Sequence, residues 1–405
     1  MHPRTLAAAS AIAALMLVTG CSSTTSTGGD AVATADSDTE FPIAPGDIDP
    51  GPFPTTPQAE FGAVANDGRG RIVEGQRLAE YVVLPTELDP ELTKGAQMST
   101  YVIKEGSALG NLLPGRQPQI AQDAGMIVGF STSRSYLDRA AGKSVVHAVL
   151  RFPDSASAAR AAREMSTAGT EPAAGIDGSL PSSIAALPDT SVTTYESGES
   201  FSSEGYTARG DFVIYTWVET PVGEKDWAAQ ILAKAVDQQG PMIDEFPATP
   251  VGEIASLPMD IDKVLVLTIP AEKGRWATDL AVYGPRGATH FATNPTTNLA
   301  AMNEAGSDRL ARDDTSVYRA DDAAGAEKLH TLFAEEAVTD QGMIPAASPP
   351  GVPGASCFLF ETASGDYTYC LVHNGRYLGE VSGLDDEKGV HQKVAAQYLI
   401  LDSAR

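Results

Sequence analysis

Two stretches of the chain decide its fold: "VLRFPDSASAARAA" (149–162) and "VYRADDAAGAEKLH" (317–330). Each reads as a short β-strand that ends in an arginine, then a turn with an aspartate, then an alanine-rich helix. Asp154 and Asp322 stand at the expected N-caps, where a carboxylate accepts free backbone N–H groups and complements the helix dipole. The recurrence of this unit predicts an internal duplication.

Three further pairs of segments occur in the same order along the chain. They are "VGFSTS" (128–133) with "THFATN" (289–294), "GDFVIY" (210–215) with "GDYTYC" (365–370), and Ala-Ala-Gln-x-Leu at 228–232 and 395–399. Each half then reads strand, strand, helix, strands, helix. This order predicts an α+β protein of two similar open-sandwich domains, each an antiparallel sheet with helices on one face. We expect the helix at 226–239 to end at Gly240-Pro241.

The length of the chain predicts more than one domain. About 345 residues follow the N-terminal region, which is more than one hydrophobic core usually serves. We expect the boundary between the domains to fall in "EFPATPVGEIASLP" (245–258). We therefore expect a first α+β domain at 61–248 and a second at 249–405.

The N-terminus predicts export and a lipid anchor. After Arg4, the apolar run from Leu6 to Val18 spans roughly 20 Å as a helix, which is shorter than a bilayer core and typical of a signal peptide, here residues 1–20. The run ends in "LVTGC" (17–21), which resembles the bacterial lipobox, where the cysteine is acylated and becomes the first residue. We expect Cys21 to be the lipidation site, and the alternative is an ordinary secreted protein with a chance cysteine.

Residues 21–60 are rich in serine, threonine and proline, a composition that cannot bury a core. They predict a disordered tether. The folded part is then extracytoplasmic and anchored to the cell membrane through lipidated Cys21.

The charge of the chain excludes several partners. It has 28 basic and 53 acidic residues and a formal net charge of −25. Without a basic patch, we expect no nucleic acid and no flat contact with anionic lipid. No acidic cluster has the spacing of a calcium loop, so no metal is predicted.

The remaining cysteines, Cys357 and Cys370, lie in "CFLFETASGDYTYC". If Phe358–Glu361 and Asp366–Tyr369 are strands around the turn "TASG", the two cysteines face each other directly. In an exported protein this predicts a disulfide. The alternatives are a reactive pair, for which the spacing is wrong, and a metal site with His373, which lacks paired ligand knuckles.

The sequence has no GxSxG, HExxH, Walker, GxGxxG or SxxK motif, so we predict no catalytic residue and no cofactor. His147, in the apolar "SVVHAVL", is expected to be a core histidine. Trp217, Trp227 and Trp276 are the aromatic anchors. The strand "FVIYTWVET" (212–220) places Tyr215 and Trp217 on one face, as weak candidates for a hydrophobic or sugar-stacking surface; the alternative is core beneath a helix.

Three segments carry a resemblance to a known family: "LVTGC", "EGQRLAEYVVLPTELDPEL" (74–92), and the closing "CLVHNGRYLGEV" (370–381) with "AAQYLIL" (395–401). The chain resembles uncharacterised lipoproteins of mycolic-acid-bearing actinobacteria with a duplicated domain of unknown function. The resemblance implies an envelope lipoprotein and brings no catalytic residues.

Two functions are consistent with these features. The first is a non-catalytic binding or scaffolding lipoprotein that holds an apolar envelope ligand, or a protein partner, between its two similar domains. The second is a cell-wall hydrolase or transferase whose site is assembled only in three dimensions. It predicts a cleft with a carboxylate pair or a histidine constellation of perturbed pKa.

Overall fold

The computed structural model describes residues 48–404 apart from 96–98, 172–178, 272–279 and 364. The predicted signal peptide, Cys21, the tether up to residue 47 and Trp276 lie outside the described residues. Residues 43–405 form one compact unit.

Helices and groups of consecutive strands follow one another along this unit. The helices are α1 (Asp67–Leu78), α2 (Pro85–Leu88), α3 (Gln117–Asp123), α4 (Ser155–Gly169), α5 (Lys225–Asp244), α6 (Pro285–Thr289), α7 (Pro295–Glu304), α8 (Ala323–Thr339) and α9 (Glu387–Asp402). The strands are β1 (Lys94–Gly95), β2 (Tyr101–Ile103), β3 (Val128–Ser135), β4 (Ser144–Arg151), β5 (Leu180–Ser182), β6 (Thr190–Ser197), β7 (Ser200–Arg209), β8 (Phe212–Pro221), β9 (Ala281–Tyr283), β10 (Arg309–Arg312), β11 (Ser316–Arg319), β12 (Ile344–Ala346), β13 (Ala355–Thr362), β14 (Gly365–Asn374) and β15 (Tyr377–Leu384).

The strands form two antiparallel sheets with the same topology, which confirms the predicted α+β class and the duplication. The first sheet has the order β1-β3-β4-β8-β7-β6-β5, with β2 also paired to β3, and the second has the order β12-β13-β14-β15-β11-β10-β9. In each half, a pair of neighbouring strands (β3 and β4, or β10 and β11) leads into a helix, four strands follow, and a second helix closes the unit. Asp154 and Asp322 cap the equivalent helices α4 and α8, as predicted: their side chains accept the N–H groups of Ser157 and Gly325.

Two of the four sequence matches are wrong. "VGFSTS" lies in β3, whereas "THFATN" lies at the end of α6 and in the following turn; the counterpart of β3 is β10. "GDFVIY" begins β8, but "GDYTYC" begins β14, whose counterpart is β7. The β7–β8 and β14–β15 turns do correspond, and each has a glycine at positive φ, Gly210 (52°) and Gly375 (54°).

The helices cover both faces of each sheet, rather than the one face predicted. Along β8, Val213 and Tyr215 pack in one cluster with α4, whereas Val218 packs on the opposite side in a cluster with Leu232 of α5. The second half repeats this arrangement with α8 and α9. Because successive side chains of a strand alternate between faces, both sets of apolar residues are buried.

A single core cluster spans the two halves. It joins Leu78, Val82, Phe130 and Val149 of the first half to Tyr283, Met302, Phe333 and Leu371 of the second. Helix α5 contributes to it beyond the predicted stop, because it runs through Gly240-Pro241 to Asp244 and buries Ile243 in this cluster. The hydrophobic contact of that last turn outweighs the backbone bond that Pro241 cannot make.

The hairpin of β13 and β14 has the predicted register. Cys357 lies opposite Cys370, and Thr362 lies opposite Gly365. The structure joins the two cysteines by a disulfide with a sequence separation of 13 residues. Both cysteines are buried in a cluster with Val394 of α9.

We expect replacement of both Cys357 and Cys370 by alanine to lower the free energy of unfolding by about 3 kcal/mol. The crosslink closes a loop of 13 residues' separation, which restricts the unfolded chain. Urea unfolding of the two proteins measures the difference. Thiol counting on the denatured, unreduced protein is the control, and two free thiols from this pair would contradict the assignment.

Candidate functional site

A cavity of about 620 Å³ lies between the two halves. Its first-half side is lined by Thr93, Lys94, Gly95, Thr100, Arg134 and Leu137, and its second-half side by residues 290–294, Thr339 and Asp340. Both halves therefore build one cleft. Its volume falls in the range of about 300–1,000 Å³ typical of small-molecule sites.

Arg134, at the end of β3, reaches across the joint between the halves. One guanidinium nitrogen donates to the Thr93 carbonyl at 2.6 Å, and another donates to the carbonyls of Ala292 (2.6 Å) and His290 (3.3 Å). Arg134 is 1% exposed, and burial lowers its pKa to about 10. It remains charged at neutral pH, so carbonyl dipoles of both halves solvate a buried cation.

Two buried polar atoms of the cleft residues lack a hydrogen-bond partner among the described residues. They are Nε of Arg134, a donor, and Nδ1 of His290. His290 uses Nε2 to contact the Ala79 carbonyl at 3.0 Å, which fixes Nδ1 as the acceptor. Burial lowers the pKa of His290 to about 3, so the ring is neutral at physiological pH. Both atoms are buried beneath the surface of the cleft rather than exposed in it.

The segment 290–294 is a wall of the cleft, and its residues 291–293 also line a second cavity, of about 210 Å³, inside the second half. On the side of α8, the N–H of Asn294 donates to the Glu336 carboxyl at 3.2 Å, and the Asn294 side chain donates to Asp340 at 2.9 Å. Arg134 holds the same segment from the first half. The wall is therefore fixed from both sides by charged or ionisable groups.

The second-half cavity contains two carboxyl groups, Glu336 and Glu380. Burial raises the pKa of Glu336 to about 7; the Asn294 N–H opposes this shift, and the charges of Asp340 and Glu380 add to it. Burial also raises the pKa of Glu380, against hydrogen bonds from Tyr369 and Tyr318. The Tyr369 hydroxyl donates to Glu380 at 2.7 Å. A pair of acidic groups with shifted pKa values thus lines one cavity.

The first half has a corresponding cavity of about 290 Å³ between its sheet and the ends of α3 and α4. Its buried carboxyl group is Glu204, which accepts hydrogen bonds from the hydroxyls of Thr193 (2.8 Å), Tyr215 (3.2 Å) and Tyr206 (3.3 Å). Burial raises the pKa of Glu204, and the three hydroxyls oppose the shift. Each half therefore encloses one glutamate held by two tyrosines.

The register of the two hairpins shows how these sites correspond. β7 and β8 pair Tyr206 with Tyr215, and β14 and β15 pair Leu371 with Glu380. With the turns superposed, Glu204 corresponds to Tyr369, and Tyr215 corresponds to Glu380. Both halves therefore have a glutamate and a tyrosine at these two positions. The glutamate is on the first strand of the hairpin in the first half and on the second strand in the second half.

The structure places the predicted site residues as follows. Tyr215 and Trp217 both line the first-half cavity, next to Glu204. His147 is a core residue, with Thr216 and Gln239 at 2.9 Å from its two nitrogens. His391 comes within 4.8 Å of Cys357 and Cys370, but the sulfurs are joined in the disulfide and are not free to bind metal.

Sequence reasoning missed Arg134, Glu204, Glu336 and Glu380. One signal was present: Glu380 shares a strand face with the buried Leu378, where an acidic residue is unusual. Arg134 and Glu336 carry no comparable pattern, since their partners are distant in sequence.

No helix in the described part of the chain is long and apolar enough to cross a membrane.

Fold and cavities together define a duplicated α+β protein with a cavity inside each half and a cleft lined by both halves. The sequence matches "Domain of unknown function (DUF7373)", its N-terminal domain over residues 61–259 and its C-terminal domain over 264–404. The chain belongs to this duplicated-domain family.

No curated protein matches the sequence. Among solved structures, the extracellular domain of PknH from Mycobacterium tuberculosis is similar at 14% sequence identity and a TM-score of 0.28. That comparison covers 41% of this chain and 95% of the PknH chain. A likeness at this level carries no information about function.

We expect Glu336→Gln to change how stability depends on pH. The pKa of Glu336 in the folded protein is about 7, against 4.5 for an ordinary glutamate. The wild type therefore loses stability as pH rises from about 4.5 through 7, because the buried carboxyl group must give up its proton in the folded state. The variant should therefore gain stability relative to the wild type over this range, by about 3 kcal/mol at pH 8. Urea unfolding at pH 5 and pH 8 measures this.

The control is Glu335→Gln, which alters an exposed neighbour on the same helix. Equal pH profiles for the wild type and Glu336→Gln would show that Glu336 titrates normally.

Proposed function

We propose that the protein is an extracytoplasmic, membrane-tethered binding protein whose ligand occupies the cleft between its two halves. One observation carries this proposal: a cavity of about 620 Å³ is lined by both halves, with the buried Arg134 and the half-buried Phe291 among its residues. A cavity of this size between two domains is a common place for a small-molecule ligand.

The lining favours an amphipathic ligand. Leu137 is 75% exposed and borders the cavity, and the half-buried Phe291 lies on the opposite side. These side chains suit an apolar portion of a ligand. Lys94 and Asp340 stand among the lining residues and keep the site partly polar.

The test is extraction of the full-length protein from its native membrane, followed by mass spectrometry of co-purified small molecules. We expect an amphipathic compound with the wild type and its loss with Leu137→Asp, which places a charge beside the apolar portion. Leu180→Asp is the matched control, because Leu180 is 63% exposed on β5 and borders none of the cavities described above. Equal recovery from both variants, or no compound from the wild type, would contradict a ligand site in the cleft.

A hydrolase or transferase is the second candidate, and the observation that favours it is the Glu336–Glu380 pair. A carboxylic acid whose pKa is near 7 is suited to general acid catalysis at neutral pH. The same extraction separates the two functions. A binding protein retains its compound equally with Glu336→Gln, whereas an enzyme accumulates an uncleaved substrate only in that variant.

Membrane attachment through Cys21 is a separate part of the proposal. Each buried CH₂ of an acyl chain contributes about 0.8 kcal/mol, so two or more chains hold a protein firmly at a bilayer. We expect Cys21→Ala to move the protein from the membrane fraction to the soluble fraction, as followed by immunoblotting. Cys357→Ala with Cys370→Ala is the control and should leave the partition unchanged. A Cys21→Ala protein that stays with the membrane would exclude the lipid anchor.

A further inference from the structure

The first-half cavity is a separate place in the molecule. Its volume is about 290 Å³, and the residues that line it include none of those that line the cleft between the halves. It lies between the α4 face of the first sheet and the start of α3. A ligand here would be bound by the first half alone.

Gln117 forms part of its polar side. The residue is 1% exposed, and its Nε2 donates to the Met165 carbonyl at 3.1 Å and contacts the Tyr206 hydroxyl at 2.7 Å. Its Oε1 is buried and has no hydrogen-bond partner in the described part of the chain. Since the Met165 carbonyl can only accept a hydrogen bond, the amide atom that contacts it must be the nitrogen, Nε2. The other amide atom, Oε1, is therefore the one without a donor.

Glu204 and Gly169 complete this polar side. A Cβ on Gly169 would lie 2.8 Å from Oε1 of Glu204 and 2.9 Å from Nε2 of Gln117. The glycine of α4 therefore allows both side chains to come together at the cavity. The hydroxyls of Thr193, Tyr206 and Tyr215 already bind the Glu204 carboxyl, which leaves it little capacity to hold a cation.

The other side of the cavity is aromatic. The half-buried Trp217 and Tyr195 line it, along with Leu112 and Val146. Lysine and arginine are absent from the described lining, so an anionic ligand would find no counter-charge there. Aromatic faces pack against the C–H face of a saturated ring, while the opposite polar groups need hydroxyl donors.

We propose that this cavity binds a neutral sugar ring, with one apolar face on Trp217 and its hydroxyls toward the polar side formed by Gln117 and Glu204. The volume, near the lower end of ligand sites, suits a single ring rather than a chain of them. The site is independent of the ligand proposed for the cleft between the halves.

The experiment uses the three tryptophans of the chain as probes. In protein labelled with ¹⁵N at tryptophan, the indole N–H groups give three NMR signals, and Trp217→Phe and Trp227→Phe identify two of them. The probes are glucose, galactose, arabinose and N-acetylglucosamine, each titrated to ~100 mM, which detects binding as weak as a millimolar Kd. We expect at least one sugar to shift the Trp217 signal saturably. The Trp227 signal, from an indole that donates to Asp89 elsewhere in the first half, should not move.

Two variants localise the effect. Gln117→Leu removes a polar group of the lining and should weaken the titration at least tenfold, and Gly169→Ala should abolish it by displacing Glu204 and Gln117. The matched control is Asn298→Leu, which alters a buried amide that lines the second-half cavity and should leave the titration unchanged. An undisturbed Trp227 signal verifies that each variant is folded.

Absence of a saturable Trp217 shift with all four sugars would overturn the proposal, as would equal titrations of the wild type and the folded Gln117→Leu or Gly169→Ala protein. Because Leu137→Asp acts only in the cleft, its titration should match the wild type, so failure of one site is distinguishable from failure of the other.

Discussion

Arg134 brings a positive charge into the joint between the halves, where its hydrogen-bond partners are backbone carbonyl oxygens of both halves. Removing a guanidinium from water costs several kcal/mol unless polar groups replace the solvent. Those carbonyls can do so only if the segment 290–294 lies against β3, so the cation requires the two halves to adopt one relative position. The shared core cluster then packs around this joint, and the cleft is the space left beside it.

The same segment connects two cavities with different electrostatics. On one side Arg134 supplies a fixed positive charge, and on the other Glu336 supplies a group that titrates near neutral pH. Arg134 and Glu336 therefore hydrogen-bond to the same short segment from opposite sides.

The parts of the fold that could be predicted from sequence are those set by local chemistry. The hairpin register followed from the turn "TASG", and the aspartate caps followed from their positions before alanine-rich helices. Shared residue identities gave a wrong alignment of the two halves, because "GDFVIY" and "GDYTYC" are similar in sequence but begin strands at different places in their sheets. The turns around Gly210 and Gly375 do correspond, and they share mainly the glycine that a positive φ requires.

The candidate sites were largely beyond sequence reasoning. Tyr215 and Trp217 could be placed on one strand face by alternation, but nothing local indicated that Gln117 and Glu204 would join them from distant elements. Arg134 and His290 are 156 residues apart and meet only when the halves pack. The domain boundary at 245–258 stays a prediction.

The exchange of glutamate and tyrosine between the two hairpins restricts how the halves can have diverged. If glutamate and tyrosine are the only residues considered, the two arrangements are separated by a state with either two glutamates or two tyrosines at this pair of positions. Two adjacent carboxyl groups in a buried site repel each other or must take up protons, whereas two phenols can hydrogen-bond to each other without charge. Of these two states, the tyrosine pair is therefore the less costly one.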